Sequence, residues 1–440
     1  MNNVSTGWYE KRDHRSHLIY SWDRTKEPLI IFSQDLRKYK AFHASAITLA
    51  NIVARFMPQA TFVVPSELYA YGTNGKTTLA DAILNTTKLA DSTGTYKMID
   101  QPPKTWENGP VISIGPINTD LNSTMFMPGT GSTIIIPHGQ KVIEKQPFDI
   151  IGALLTACMA AREIFLDTSN LINLRVEQTY EFKVRSPKHS KTITCDLKFG
   201  TMQLIGVGGI GSNIVYMLPF LNAKGIVHLI DHDKIDFTNL NRCLLFSQEN
   251  AEKRAFKVEV AHEYLSRHSI ESREFPMKYS EYVRCTGRGK PDIVLMMANE
   301  DQIWNSLQNN YPPIVFSSAT SQNWGVQSSR HIPLEDSCIS CLMGLHNQTE
   351  ARLACDEGTI QTPTGIENGV LPFFAPLGAV LTISHILDEM IPGKINHENL
   401  RFTNLKIRYP RIQSLKLSSR PNCLCSSQDR VLYRAILANQ

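Results

Sequence analysis

The sequence lacks the features that mark membrane-spanning, secreted or polyanion-binding proteins. Its 45 lysine and arginine residues nearly balance its 41 aspartate and glutamate residues, and a net charge of +4 is too small to indicate a nucleic-acid or membrane partner. The N-terminus has no apolar core of the kind that a signal peptide needs. The longest apolar run, residues 150–161, is too short to span a bilayer. These absences predict a cytoplasmic globular protein that binds neither nucleic acid nor membrane.

The nine cysteines are spaced for metal or thiol chemistry in a reducing compartment rather than for a disulfide framework. Cys338 and Cys341 form a CxxC pair, and Cys423 and Cys425 form a CxC pair. Four thiolates can close a tetrahedral shell around Zn²⁺. We expect the two pairs to form one zinc site that ties the C-terminal segment back to the domain. The alternative is four free or structural thiols.

The most informative stretch begins at residue 202, where a short apolar run predicts a buried parallel strand. A glycine loop follows, then an apolar pattern at helical spacing, and then a second apolar run that ends in Asp231. Strand, glycine loop, helix, strand and terminal acid make a nucleotide-binding βαβ unit. Glycines allow the backbone to approach phosphate closely, and the acid accepts hydrogen bonds from ribose hydroxyls. The loop glycines are Gly206, Gly208, Gly209 and Gly211.

The residues after Asp231 are more specific. They contain Asp233, Asn239 and Arg242 in the pattern D-x-D-x(5)-N-L-x-R. Together with the GxGGxGS loop, this resembles the ThiF/MoeB/ubiquitin-activating adenylyltransferase superfamily. The resemblance implies ATP rather than NAD, with Asp231 and Asp233 at the nucleotide and Asp231 on its ribose. It also implies that Asn239, Arg242 and a downstream lysine bind the triphosphate.

Two positions in the implied nucleotide site are less regular. Lys257 is the best match to the phosphate-binding lysine, and Lys253 is the alternative. At the end of a later strand, where the superfamily has an aspartate for Mg²⁺, this sequence has Asn299, followed two positions later by Asp301. A neutral amide is a weaker ligand for a hard cation than a carboxylate. Asn299 or Asp301 would serve Mg²⁺, or the metal would be held mainly by the phosphates of ATP.

The chain also shows signs of two related halves. A proline and a Gly-Ala step open an apolar helix near residue 150, and the same pattern recurs near residue 376. We predict an α/β fold with a degenerate N-terminal adenylation-like domain at 1–170, a linker at 171–200 and an active adenylation domain at 201–440. The protein would then be a homodimer or an intrachain pseudo-dimer. The superfamily's arginine finger would be Arg175 or Arg185.

Shorter sequence patterns predict the remaining elements of the first half. Residues 1–27 are predicted to be an arm or docking segment, and residues 85–110, rich in Thr, Asp, Pro and Gly, are predicted to be loops. Strands are predicted at 29–32, 61–64, 111–114 and 133–137, and a helix at 41–57. The stretch GTNGKTT at 72–78 looks like the phosphate loop of Mur-type ligases, but a surface turn before a helix is favoured because a polar, aromatic stretch precedes it.

Cys355 lies after the first cysteine pair, where relatives in the superfamily carry the crossover-loop cysteine that accepts the activated C-terminus. Cys243 and Cys285 are weaker candidates. The resemblance implies ATP-dependent adenylation of a ubiquitin-like protein's C-terminal carboxylate, then thioester capture on Cys355 and transfer to a conjugating enzyme. The plan of the two halves is most similar to activating enzymes of bacterial, antiphage-type conjugation operons. The alternatives are a sulfur-carrier or peptide adenylyltransferase without a thioester, and a non-catalytic nucleotide-binding scaffold.

Overall fold

A computed structural model describes residues 4–17, 20–36, 38–64, 77–117, 119–141, 147–184, 197–287, 291–298, 303, 307, 313–321, 323–333, 335–338, 341, 359–362, 365–390, 398–420, 423 and 425. Within these residues the protein is α/β, with two large sheets flanked by helices. None of the described helices is both long and apolar enough to cross a lipid bilayer.

The first sheet contains seven strands. In chain order they are β1 (Leu29–Phe32), β2 (Gln59–Val63), β3 (Thr95–Ile99), β4 (Val111–Ile114), β5 (Ser123–Gly129), β6 (Ser132–Ile136) and β7 (Tyr180–Lys183). Their spatial order is β3-β2-β1-β4-β5-β6-β7, parallel from β3 to β5 and antiparallel from β5 to β7. The helices of this half are α1 (Val4–His17), α2 (Lys40–Ala54), α3 (Leu79–Ala90) and α4 (Ile150–Thr168).

The second sheet repeats this plan. Its strands are β8 (Lys198–Ile205), β9 (Lys224–Ile230), β10 (Glu271–Phe275), β11 (Ile293–Met296), β12 (Val315–Thr320), β13 (Gly325–His331), β16 (Leu400–Asn404) and β17 (Gln413–Leu415). Their spatial order is β10-β9-β8-β11-β12-β13-β16-β17. The helices are α5 (Gly209–Met217), α6 (Gln248–Glu252), α7 (Lys257–Arg267), α8 (Tyr279–Thr286) and α9 (Phe374–Glu389), and a separate hairpin pairs β14 (Thr359–Thr362) with β15 (Gly365–Asn368).

Both sheets therefore begin with the strand order 3-2-1-4-5 of a doubly wound nucleotide-binding fold. The predicted α/β class is confirmed, and both sheets have a Rossmann-like strand order. The predicted domain boundaries stay a prediction. The segment predicted to be a linker contains strand β7, which pairs with β6 of the first sheet. The prediction of loops throughout 85–110 is wrong, because α3 continues to Ala90 and β3 pairs with β2. The segment at 1–27 contains helix α1.

The register of the second sheet determines where functional residues meet. β8 lies between β9 and β11 and is parallel to both, with Ile205 opposite Ile230 on one side and Met296 on the other. The residues that follow these three strand ends, Gly206, Asp231 and Met297, therefore lie at one edge of the sheet. In open α/β sheets, this carboxyl edge is where ligands bind.

The two predicted buried helices are α4 and α9, and both are buried over nearly their whole lengths. α4 begins at a side-chain cap, because the Asp149 carboxylate accepts hydrogen bonds from Gly152 N at 2.8 Å and Gly131 N at 3.0 Å. α4 packs so closely on the sheet that a Cβ at position 152 would lie 1.8 Å from the carbonyl oxygen of Gly129. Only glycine fits there without backbone movement.

We predict that Gly152→Ala lowers the free energy of unfolding by roughly 1–3 kcal/mol, since the added methyl group would overlap backbone that cannot rotate away. Urea denaturation measures this directly. Gly7→Ala is the matched control, because a Cβ at position 7 of helix α1 meets no atom within 4 Å. A Gly152→Ala protein as stable as the wild type would contradict the close packing of α4.

Candidate functional site

The glycine loop connects β8 to α5 at the carboxyl edge of the second sheet. Gly206 has a φ of +92°, a conformation that side chains with a Cβ rarely adopt. A Cβ on Gly211 would lie 2.0 Å from the Gly206 carbonyl oxygen, so the helix can follow the loop only with glycine at position 211. α5 begins at Gly209 and directs its N-terminal N–H groups to the same edge. This is the geometry that phosphate-binding loops use.

Asp231 follows β9 and is held beside the loop. Its carboxylate accepts hydrogen bonds from Val207 N at 2.7 Å and from Asp233 N at 2.8 Å. The Lys257 ammonium lies 4.0 Å from Asp231 and 2.6 Å from a carboxylate oxygen of Asp233. Burial raises the pKa of Asp231, and Lys257 opposes that effect. Burial also acts to raise the pKa of Asp233, but the hydrogen bond and charge of Lys257 outweigh it, so that pKa is lowered.

Asn239 and Arg242 lie on a short 3-10 turn and the loop after it. Asn239 Oδ1 accepts from Asp236 N at 2.9 Å, which fixes the turn as a capping box. The Arg242 guanidinium donates to Asn241 Oδ1 at 2.9 Å and is 8% exposed. Burial lowers the pKa of Arg242 to about 10, but the group stays cationic near neutral pH.

A further cation reaches this site from the N-terminal half. Arg15 of helix α1 lines the same cavity as the glycine loop and Arg242. α1 is fixed there by Ser16, whose hydroxyl donates to the Val370 carbonyl at 2.7 Å and accepts from Asn241 Nδ2 at 2.8 Å. Sequence reasoning missed Arg15, since nothing in the charged stretch at 10–17 distinguishes it from its neighbours.

These groups surround one cavity of about 900 Å³ at the carboxyl edge of the second sheet. A volume of this size suits a nucleotide-sized ligand. The predicted site residues that line it are Gly206, Gly208, Gly209, Asp231, Asp233, Asn239, Arg242 and Lys257. Gly211 is buried in the first turn of α5, beside the Gly206 carbonyl.

Other predicted candidates lie elsewhere. Lys253 ends α6 and pairs with Glu249 at 2.5 Å on the exposed surface, so Lys257 is the lysine that lines the cavity. Arg175, one of the two arginines predicted as the finger, pairs with Asp167 at 2.6 Å in the first half and does not line the cavity. Thr78 caps α3 through its hydroxyl. Arg185, Asn299, Asp301, Cys355 and residues 72–76 lie outside the described residues.

The two cysteine pairs meet in one buried cluster. The sulfur atoms of Cys338 and Cys423 are 3.5 Å apart, those of Cys341 and Cys425 are 3.6 Å apart, and those of Cys338 and Cys341 are 3.8 Å apart. A tetrahedral ion with bonds of about 2.3 Å to sulfur requires sulfur–sulfur separations of roughly 3.8 Å. The cluster therefore fits Zn²⁺, and it joins the C-terminal segment to the loop after β13, as predicted. Asp231, His232 and Asp233 form another group whose ligand atoms lie within 4.8 Å of one another.

We predict about one zinc ion per chain, bound by the four cysteines, since four buried thiols at these separations can be satisfied together by one cation. Elemental analysis of the purified protein measures the stoichiometry. A strong chelator should lower the melting temperature of the wild type, whereas Cys285→Ser, which changes an exposed cysteine, should leave the zinc content unchanged. A metal-free protein whose melting is insensitive to chelator would exclude the site.

The chain is similar to a protein family and to several known proteins. The profile of the ThiF family matches residues 184–427. The uncharacterized protein y4jF of Sinorhizobium fredii is 24% identical over 201 residues, covering 43% of this chain and only 38% of that relative. E. coli MccB with MccA-N7isoASN has a TM-score of 0.38 and 21% identity, over 52% of this chain and 67% of MccB. PaaA has a TM-score of 0.39 and 12% identity, over 49% and 72% of the two chains.

The structural likenesses are distant, so the family match is the basis for assignment. It spans more than half of the 440 residues and includes the glycine loop, Asp231, Arg242 and all four clustered cysteines. The predicted resemblance is confirmed: this chain belongs to the ThiF family.

Proposed function

We propose that this protein uses ATP to adenylate the C-terminal carboxylate of a ubiquitin-like protein. One observation carries the proposal: four cationic side chains from separate elements line the cavity that the glycine loop and Asp231 also line. They are Arg15 of α1, Arg242 of the loop after β9, Lys257 at the start of α7 and Lys278 just before α8. A cavity with this charge is suited to a triphosphate and to the charge that develops as its α-phosphate is attacked.

The proposed reaction has a simple balance. A carboxylate oxygen of the modifier attacks the α-phosphorus of ATP, the bond from that phosphorus to the bridging oxygen breaks, and pyrophosphate leaves. The product is an acyl-adenylate, which is needed because a free carboxylate is a poor electrophile. Asp231 would bind the ribose hydroxyls, while Asn239, Arg242, Lys257 and Arg15 would bind the phosphates. Mg²⁺ would travel with the phosphates, and Asp233 offers an exposed carboxylate at the site.

We further propose that Cys355 accepts the activated modifier before its transfer to a conjugating enzyme. The thiolate would attack the acyl carbon of the adenylate, the bond to AMP would break, and a thioester would form. The support is the position of Cys355 in the sequence, ahead of the β14–β15 hairpin and helix α9. The sulfur-carrier and peptide alternatives end before this step, and the scaffold alternative involves no turnover.

We expect Arg15→Ala, Arg242→Ala and Lys257→Ala each to reduce ATP–pyrophosphate exchange by about 10²-fold or more, because each removes a charge at the phosphates. The assay is driven by a ubiquitin-like protein with a free C-terminus. Arg175→Ala and Lys253→Ala are the matched controls, since those cations pair with carboxylates away from the cavity. Near-wild-type exchange in all three cavity variants would overturn the adenylation proposal.

Cys355→Ala tests the acceptor step separately. Exchange should persist, since the groups proposed to bind ATP lie on α1, on α7 and on the loops after β8 and β9. The reductant-sensitive adduct with the modifier should disappear on a non-reducing gel. Cys285→Ala is the control, because Cys285 is an exposed cysteine on α8. An adduct that survives in Cys355→Ala would exclude Cys355 as the acceptor. Robust exchange without any adduct in the wild type would favour the sulfur-carrier or peptide alternative.

A further inference from the structure

A buried arginine of the N-terminal half holds the loop that carries Arg242. Arg55 follows helix α2 and is 0% exposed. Its guanidinium donates to three carbonyl oxygens of the second half: Leu240 O at 2.7 Å, Leu244 O at 2.9 Å and Phe246 O at 3.0 Å. Residues 240–246 are irregular backbone with buried carbonyls, which need donors from elsewhere.

The neighbouring side chains complete this arrangement. Asn51 accepts from Arg55 Nε at 2.9 Å and donates to the Leu244 carbonyl at 3.0 Å. From the opposite side, Asn213 of α5 donates to the Arg242 carbonyl at 2.8 Å and accepts from Leu244 N at 2.9 Å. The loop is thus fixed between the helix after the glycine loop and a helix of the other half.

Arg55 has no carboxylate partner among the described residues, and burial lowers its pKa to about 9. Burying an unpaired cation is unfavourable. An apolar contact would stabilise the packing of the two halves equally well. What the guanidinium supplies in addition is five donors in one rigid plane, which can fix several carbonyl oxygens at once.

We infer that Arg55 is a positioning residue for phosphate binding, through which the N-terminal half orients Asn239 and Arg242. Arg55 does not itself line the cavity. The inference rests on the proposed function, since it concerns the groups assigned to the triphosphate. It separates two parts of the nucleotide. Asp231, which Arg55 does not contact, would hold the ribose, while the Arg55-supported loop would hold phosphates together with the glycine loop.

The test is the substitution Arg55→Lys, which keeps a cation but cannot donate to three carbonyls in one plane. We expect ATP affinity to fall about tenfold, as is usual when a supporting partner of a binding group is lost, with adenosine affinity unchanged. Equilibrium binding of ATP and of adenosine to the full chain gives the ratio of the two affinities. Hydrogen exchange should become faster at the amides of residues 240–246 and stay unchanged at residues 206–211.

Arg162→Lys is the matched control. Arg162 is also 0% exposed and donates to the carbonyls of Leu405 and Ile407, but that loop does not line the cavity. The Arg162→Lys variant should keep the wild-type ratio of ATP affinity to adenosine affinity, even if its melting temperature falls. If Arg55→Lys does not fold, Asn51→Ala, which removes one donor to the loop, should shift the ratio in the same direction by a smaller factor.

The outcomes are distinct. A selective loss of ATP affinity supports the positioning role. Unchanged affinities, or ATP and adenosine affinities that fall in equal proportion, would overturn it and leave the proposed function standing. A wild-type chain that does not bind ATP would overturn the proposed function and this inference with it.

Discussion

The structure depends on satisfying the buried backbone polar groups of the loop between Asn239 and Ser247. An irregular segment cannot pair its own carbonyls as a helix or strand does, and a buried unpaired carbonyl is costly. Here the donors come from both halves of the chain, from Arg55 on one side and Asn213 on the other. The segment carrying Arg242 therefore takes hydrogen-bond donors from both halves, and the N-terminal half contributes Arg15 to the lining of the cavity.

The charged side chains at the cavity also need partners, and opposite charges lie close together there. Lys257 and Asp231 are each 8% exposed and lie 4.0 Å apart. At that distance the gross attraction is about 4 kcal/mol for an effective dielectric of about 20, and desolvation of both groups offsets much of it. Without nucleotide, the carboxylates of Asp231 and Asp233 compensate Lys257. A bound triphosphate would bring its own negative charge to Lys257, Arg242 and Arg15.

The sequence predicts elements that are formed by contiguous residues, but not contacts between residues that are far apart in the chain. The strand at 29–32, the strand at 111–114 and the glycine loop could be identified because apolar runs and loop residues are contiguous in the chain. Asp231 and Arg242 could be predicted because they stand in the pattern that resembles the superfamily, and Lys257 is the better match of two lysines; all three line one cavity. Arg15 and Arg55 could not, because their roles arise from contacts with residues more than 180 positions away, as the Arg55 to Leu240 hydrogen bond illustrates. Neither stands in a pattern that distinguishes it from a surface arginine.

The error at 85–110 has a similar cause. Composition rich in turn-forming residues predicted loops, but β3 is an edge strand whose side chains are mostly half-exposed, so it lacks the apolar run of a central strand. Tertiary pairing with β2 decides its structure. Composition is a poor guide at sheet edges, where the backbone is ordered by one neighbour and the side chains face solvent.

The two halves share a topology but differ at the position where a nucleotide would bind. After β8 the chain turns through Gly206, whereas after β1 it continues through Ser33 to Leu36, which is 1% exposed. A Cβ on Gly115, just beyond β4, would lie 2.6 Å from Leu36 Cδ1, so an apolar side chain occupies the crevice between β1 and β4.

Asp231 follows β9, but Val64 follows β2. The pocket that the described residues leave at this edge is about 280 Å³, against about 900 Å³ in the second half. From the first half, Arg15 lines the cavity of the second, and Arg55 donates hydrogen bonds to the loop that carries Arg242.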